Sequence, residues 1–325
     1  FEVRAAEDIT TGDGTVRAAA GELVATLTTN ADGKATTGEL YLGKYTIKEV
    51  QAPAGYVLGN IEEDVVLEYA GQTVEVTSLS KTYSNDRQKV EFNLLKNMEV
   101  DDTFGLGENG ELQNVVFALY AKNEITAVDG TTIPANGLIH TDEPLVPDTN
   151  GNVLVNADLP IGTYYFKEIA TDEHYVLDTT EFTVAFEYQG QNIAKVYKTA
   201  NDGEVIMNNL IRGQITIYKI DEDDVPLEGV EFGLYSPDDV NFENPILTQT
   251  TDADGIAVFS DIPYGNWIIR EISTLEGYIK DETATPHDIT TDGQSDEQTV
   301  VNDYLRVYIT KVNEEDTSED RKSGS

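Results

Sequence analysis

A lysine, a glutamate and an asparagine recur along this chain at fixed places. Lys96, Glu168 and Asn208 form one set, Lys219, Glu271 and Asn302 a second, and Glu49 with Asn85 a set without its lysine. The step from asparagine to the next lysine is eleven residues from Asn85 to Lys96 and from Asn208 to Lys219, and nine from Asn302 to Lys311. Gathered in a core, these groups have a definite chemistry. Burial disfavours both charges, so the amine sheds its proton and the carboxyl keeps one. A neutral amine is a nucleophile, and a protonated carboxyl can polarise the asparagine carbonyl and pass a proton to departing ammonia. The product would be a Lys–Asn amide, made once and without turnover, so no enzyme in the ordinary sense is expected.

Such a gathering needs elements that bring distant residues together, and the chain is built of repeats of domain size. Tyr45 to Tyr56 (YTIKEVQAPAGY), Tyr164 to Tyr175 (YYFKEIATDEHY) and Trp267 to Tyr278 (WIIREISTLEGY) align with one another, each holding its glutamate at the same place. Before them stand FEVR at Phe1, FALY at Phe117 and FGLY at Phe232; VEFNLLK at Val90, ITIYK at Ile215 and VYITK at Val307 form a further set. All alternate apolar with polar residues and are bounded by Gly, Asp and Asn, which predicts strands. Nothing has sustained helical periodicity, so the expected class is all-β, a sandwich or barrel in tandem copies. The segments divide as 1–88, 89–212 with an insertion around 121–147, 213–303, and 304–325, the last an opening strand of a further domain or a donor strand, with a polar flexible tail. The first repeat opens directly at FEVR and lacks a lysine-bearing strand.

Composition narrows the partners. Of 325 residues, 60 are acidic and 21 basic, a formal charge of −39, which repels nucleic acid and anionic lipid. No apolar run is long enough to span a bilayer, and membrane insertion is not expected. There are no cysteines, so disulfides and thiolate metal sites are excluded. A secreted protein without disulfides would need another staple. The chain begins at Phe1 rather than Met and reads as a fragment or mature product. His140, His174 and His287 have no metal spacing. NADG at Asn30, DTNG at Asp148 and DADG at Asp252 suit turns better than calcium loops. GLGENG at Gly105 fits a dinucleotide fingerprint only in letters, because a strand follows where a helix is needed. Neither a metal nor a cofactor is expected.

With these motifs in hand, the sequence resembles the SpaA and CnaB type domains of Gram-positive pilins and surface adhesins. Tyr45 to Tyr56 matches their glutamate box throughout its conserved part; Trp267 to Tyr278 keeps Glu271 and the Gly-Tyr ending, and Tyr164 to Tyr175 keeps Glu168 and the last tyrosine. PLEGVEFGLY at Pro226 and NNLIRG at Asn208 belong to the same resemblance, which spans nearly the whole chain. It implies Ig-like β-sandwiches, catalytic roles for Glu168, Glu271 and Glu49, and cross-links Lys96–Asn208 and Lys219–Asn302. Asn208 is preferred over Asn209 because it stands five residues before Gly213. The implied setting is a cell-wall anchored surface or pilus, and the implied function a stalk. An alternative function is an adhesin whose insertion in the second repeat binds a host protein or glycan. The implied partners are further copies of the chain or neighbouring pilin domains. The irregular ends leave two readings open: both are where a longer chain was cut, or Leu305 to Asp316 is a strand donated to the first repeat of the next copy, with Lys311 beside Glu49 and Asn85 and able to bond to Asn85.

Overall fold

The computed structural model describes residues 1–311 and is all-β, its only helices among those residues being single 3-10 turns at Glu111–Asn114 and Asn201–Gly203. Contacts divide the chain into two compact units. The first holds Phe1–Lys96, Val115–Ile169 and Thr179–Ile206; the second holds Asn97–Asn114, Ala170–Asp178 and everything from Met207.

In the second unit, the third repeat is a complete sandwich. Its opening strand Arg212–Asp221 is the centre of a three-stranded sheet, antiparallel to Ile256–Pro263 and parallel to the last strand, Gln294–Asn302. The facing sheet runs Leu247–Thr250, Glu231–Tyr235, Gly265–Ser273, Ala284–Ile289 in spatial order. Side chains alternate across each strand, and the inward set of both sheets makes the core: Ile215, Ile217, Phe232, Leu234, Phe259, Ile269 and Ile289 are all but inaccessible. A side chain at Gly213 would collide with the Gln294 carbonyl, so glycine is what lets the first and last strands start side by side.

The first unit contains the sheet Leu138–Ile139, Val116–Ala121, Gly162–Ala170, Glu181–Phe186 of the second repeat, and the pairing of Lys89 to Asn93 with the parallel strand Lys195–Thr199. The inserted segment is not a free loop: Ile125–Thr126 pairs with Thr132–Ile133, and Leu138–Ile139 adds to the sheet edge.

The first repeat, in the same unit, is built as half a sandwich. One four-stranded sheet, Leu23–Thr26, Glu2–Ala5, Gly43–Lys48, Glu62–Leu67, carries a small core of Val3, Ala5, Ile9, Ala18, Tyr45 and Val65. Residues 27–42 and 68–86 contain no strand, and Tyr41, Val74, Val76 and Leu79 among them are exposed. These two stretches correspond to the strands that flank the opening strand in the third repeat. Without that strand between them they have no ladder to join, since strand backbone is held by a neighbour's hydrogen bonds. Asn85 therefore lies outside any strand and not on the expected one. For the same reason the strand expected from Leu305 is not formed over residues 305–311; its continuation lies outside the described residues.

Candidate cross-linking site

The period of two places each reactive side chain. On Arg212–Asp221 the inward residues are Gly213, Ile215, Ile217 and then Lys219; on Gly265–Ser273 they are Ile269 and Glu271; on Gln294–Asn302 they are Val300 and Asn302. Each polar residue thus continues an apolar row into the core, and Lys219, Glu271 and Asn302 are 0%, 3% and 1% exposed. Parallel pairing brings Lys219 opposite Val300 and Asp221 opposite Asn302. Lys219 Nζ donates to the Val300 carbonyl at 3.2 Å and lies 3.6 Å from Glu271 Oε2. Asn302 Nδ2 donates to Glu271 Oε1 at 2.9 Å. One carboxyl therefore spans the two nitrogens, an oxygen on each.

Burial holds the Lys219 amine below its usual range against the opposing pull of Glu271. Burial likewise raises the Glu271 carboxyl, with Asn302 and Lys219 drawing it back. Both directions favour a neutral amine beside a protonated acid, the reactive pair. One detail differs from the sequence expectation. The carboxyl meets the asparagine through Nδ2 and not through the carbonyl, which places it on the nitrogen that would leave.

The second repeat repeats this logic residue by residue. Lys96 follows Val90, Phe92 and Leu94 on the inward face, and Glu168 follows Tyr164 and Phe166. Lys96, Glu168 and Asn208 are 2%, 1% and 1% exposed, whereas Asn209 is exposed. In the first unit Lys96 Nζ faces the Ile206 carbonyl at 3.4 Å. In the second, Asn208 Nδ2 donates to Thr171 Oγ1 at 2.8 Å and its backbone carbonyl accepts from Glu99. In the first repeat Glu49 is buried and accepts Asn85 Nδ2 at 2.8 Å, while its other oxygen takes the Gly59 amide at 3.3 Å. Lys311 is exposed.

A recurring latch holds each asparagine. The last tyrosine of each glutamate box bridges the residue two places after the asparagine: Tyr56 with Arg87, Tyr175 with Leu210, Tyr278 with Tyr304. Val57, Val176 and Ile279 donate to the carbonyls of Asp86, Asn209 and Asp303, completing the same contact three times. The sequence shows the tyrosines but assigns them no task; their fixed spacing from the glutamate was the available signal. Thr171 and Thr274 were missed as well.

The other motifs resolve into turn chemistry. The Asp148 and Asp252 carboxylates accept the backbone amides two and four residues on, and Asn30 does the same. The amides of Gly107 and Asn109 are taken by buried Glu111. Among the described residues no cluster of His, Asp and Glu could hold a metal, and no helix is long and apolar enough to cross a membrane.

A family model described as SpaA, prealbumin-like fold domain, matches three times, at residues 5–82, 106–201 and 213–304. The trypsin-resistant surface T6 protein of Streptococcus pyogenes serotype M6 is 29% identical over 172 residues, covering 46% of this chain and 29% of the T6 protein. Among solved structures, the Bacillus anthracis TIE protein superposes with a TM-score of 0.62 at 22% identity, over 93% of this chain and 46% of its own. GBS52, the minor pilin of Streptococcus agalactiae, matches 69% of this chain and all of its own at 17% identity and a TM-score of 0.30. The chain thus spans less than half the length of the first two.

Proposed function

Because the chain belongs to the SpaA family of prealbumin-like fold domains, we propose that it is a structural stalk segment of a Gram-positive surface or pilus protein, locked by internal Lys–Asn amides. The observation that carries this is the Glu271 carboxyl set between the Lys219 amine and the Asn302 amide, all three buried in the core. Lys219 Nζ attacks Asn302 Cγ, the Cγ–Nδ2 bond breaks, and Glu271 moves one amine proton to the departing nitrogen, so that ammonia leaves and the carboxyl is restored. Lys96, Glu168 and Asn208 take the same roles by repeat position. Each event occurs once, so the chemistry is self-directed and not turnover. A link that closes a loop of roughly eighty residues stabilises by about 4–5 kcal/mol on the chain-entropy view and denies proteases an open state. The curated relative's description as trypsin-resistant and surface-located supports the same reading.

Intact mass is the test. The native chain should weigh two ammonia molecules less than its sequence, and Glu271→Ala should restore one of them in a protein that still folds. An unshifted native mass overturns the reading.

A second reading is favoured by residues 27–42 and 68–86 of the first repeat, which form no strand and carry the exposed apolar side chains of Tyr41, Val74, Val76 and Leu79. Val307, Tyr308 and Ile309, in the same pattern as the opening strands, are 82%, 90% and 94% exposed. We propose that this segment of a neighbouring copy enters between residues 27–42 and 68–86, bringing Lys311 to Glu49 and Asn85. A head-to-tail contact of this kind builds a fibre. Concentrated protein should form ladders that survive boiling in detergent and vanish with Lys311→Ala; a native chain that stays monomeric sinks the idea.

A further inference from the structure

Three residues after two of the buried glutamates stands a hydroxyl. Thr274 follows Glu271, and Thr171 follows Glu168, whereas the corresponding residue after Glu49 is Ala52. Both hydroxyls reach the reactive asparagine. Thr274 Oγ1 accepts from Asn302 Nδ2 at 2.7 Å, and Thr171 Oγ1 accepts from Asn208 Nδ2 at 2.8 Å. The same contact in two repeats, from the same offset, is a built feature of the site.

We propose that Thr171 and Thr274 are positioning residues for ammonia departure, an inference that rests on the Lys–Asn cross-linking reading above. A primary amide can present either its oxygen or its nitrogen to a neighbour by a half-turn about its Cβ–Cγ bond. In the third repeat the two N–H bonds of Asn302 Nδ2 are spoken for by two acceptors, Glu271 Oε1 and Thr274 Oγ1. That arrangement holds the nitrogen, and not the carbonyl oxygen, on the carboxyl side. When the amine adds to Cγ, the nitrogen becomes tetrahedral and gains a lone pair. As the nitrogen becomes pyramidal, the N–H on Glu271 Oε1 swings away while the other stays on the hydroxyl, and the lone pair takes its place toward the carboxyl, which delivers the proton. The Nζ–Cγ bond forms, the Cγ–Nδ2 bond breaks, and the amine's proton leaves in ammonia; the threonine gives up and takes nothing.

The first repeat differs in a consistent way. Ala52 cannot hold the amide, and its backbone N–H is instead used by Gln191 at 2.9 Å. The residue at this offset therefore separates two repeats with a complete lysine, glutamate and asparagine set from one without.

The test uses the full chain, synthesised in a short cell-free pulse and sampled over time. Intact mass and mapped protease fragments give the half-time of the Lys219–Asn302 link, with the Lys96–Asn208 link as the internal reference. Thr274→Val keeps the branched shape and removes the hydroxyl; it should slow the third-repeat link about three- to tenfold, the worth of one orienting hydrogen bond. Thr274→Ser should restore the native rate, and the second-repeat link should keep its rate in both. Unfolding midpoints of Glu271→Gln with and without Thr274→Val, where no link forms, give the stability cost of the lost hydrogen bond alone; that cost should be too small to account for the slowing, which separates positioning from stability. A native half-time in Thr274→Val, a Thr274→Ser as slow as the valine, or a loss of midpoint that accounts for the slowing overturns the proposal while the native mass loss still stands. A native chain that never loses ammonia overturns the cross-linking reading and this proposal together.

Discussion

A carboxyl and an amine buried side by side decide between them, without solvent, where a proton resides. Glu271 gives this a measurable form once its partner is removed. In Lys219→Met the burial that raises its pKa remains and the amine that lowers it is gone. The folded-state value then lies above the unfolded one. Below the unfolded value both states are protonated and stability is fully present. As pH rises toward the folded value the unfolded chain releases its proton first, so stability falls, with a slope of up to about 1.4 kcal/mol per pH unit. Urea midpoints from about pH 4 to about pH 8 should therefore decline in this variant. Trp267, the chain's single tryptophan, packs against the third-repeat core and reports on that repeat. A flat or rising profile would mean that Glu271 ionises there without cost, and its role as a proton-holding acid would fall.

At the scale of elements, much was legible because a strand has only two faces. Once VEFNLLK and ITIYK are strands, parity alone sends Lys96 and Lys219 inward with Phe92, Leu94, Ile215 and Ile217, and the same holds for Glu168 and Glu271. What parity cannot supply is a neighbour. VYITK has the pattern of its counterparts, yet the Leu305 amide donates to the Gly277 carbonyl, Arg306 pairs with Glu222, and no strand forms over residues 305–311. Residues 68–86 are apolar enough for a strand and likewise form none. Long-range particulars were also out of reach. Within the first unit Gln191 reaches Ala52 from 139 residues away, and Gln88 holds the carbonyls of Gly190 and Ile193. Within the second, Arg212 pairs with Glu99 and Asp101, and Phe104 meets Trp267 edge-on at 5.0 Å. Gln, Arg and Phe at such places look like ordinary surface or strand residues until the fold brings their partners. Thr171 and Thr274 escaped notice because a threonine after a strand reads as its natural ending.

For the molecule as a whole, a charge of −39 keeps copies apart unless a specific contact overcomes the repulsion. The parallel ladder between Arg212–Asp221 and Gln294–Asn302 has a consequence of another kind, one of force. The third repeat is entered at the foot of the first of these strands and left at the head of the second, so a pull on the chain shears the pair along its length. With Lys219 joined to Asn302, load entering at Arg212 runs through the few residues to Lys219, crosses the amide and leaves at Asn302. Everything from 220 to 301 hangs off that path and carries none of it. In single-molecule stretching, Lys219→Ala should release about 270–300 Å of hidden contour from this repeat, at 3.3–3.6 Å per residue; the native repeat should release none of it at any force short of breaking a covalent bond. Its sheets, its turns and its core are then passengers, free to vary in sequence without changing how far the molecule can be drawn out.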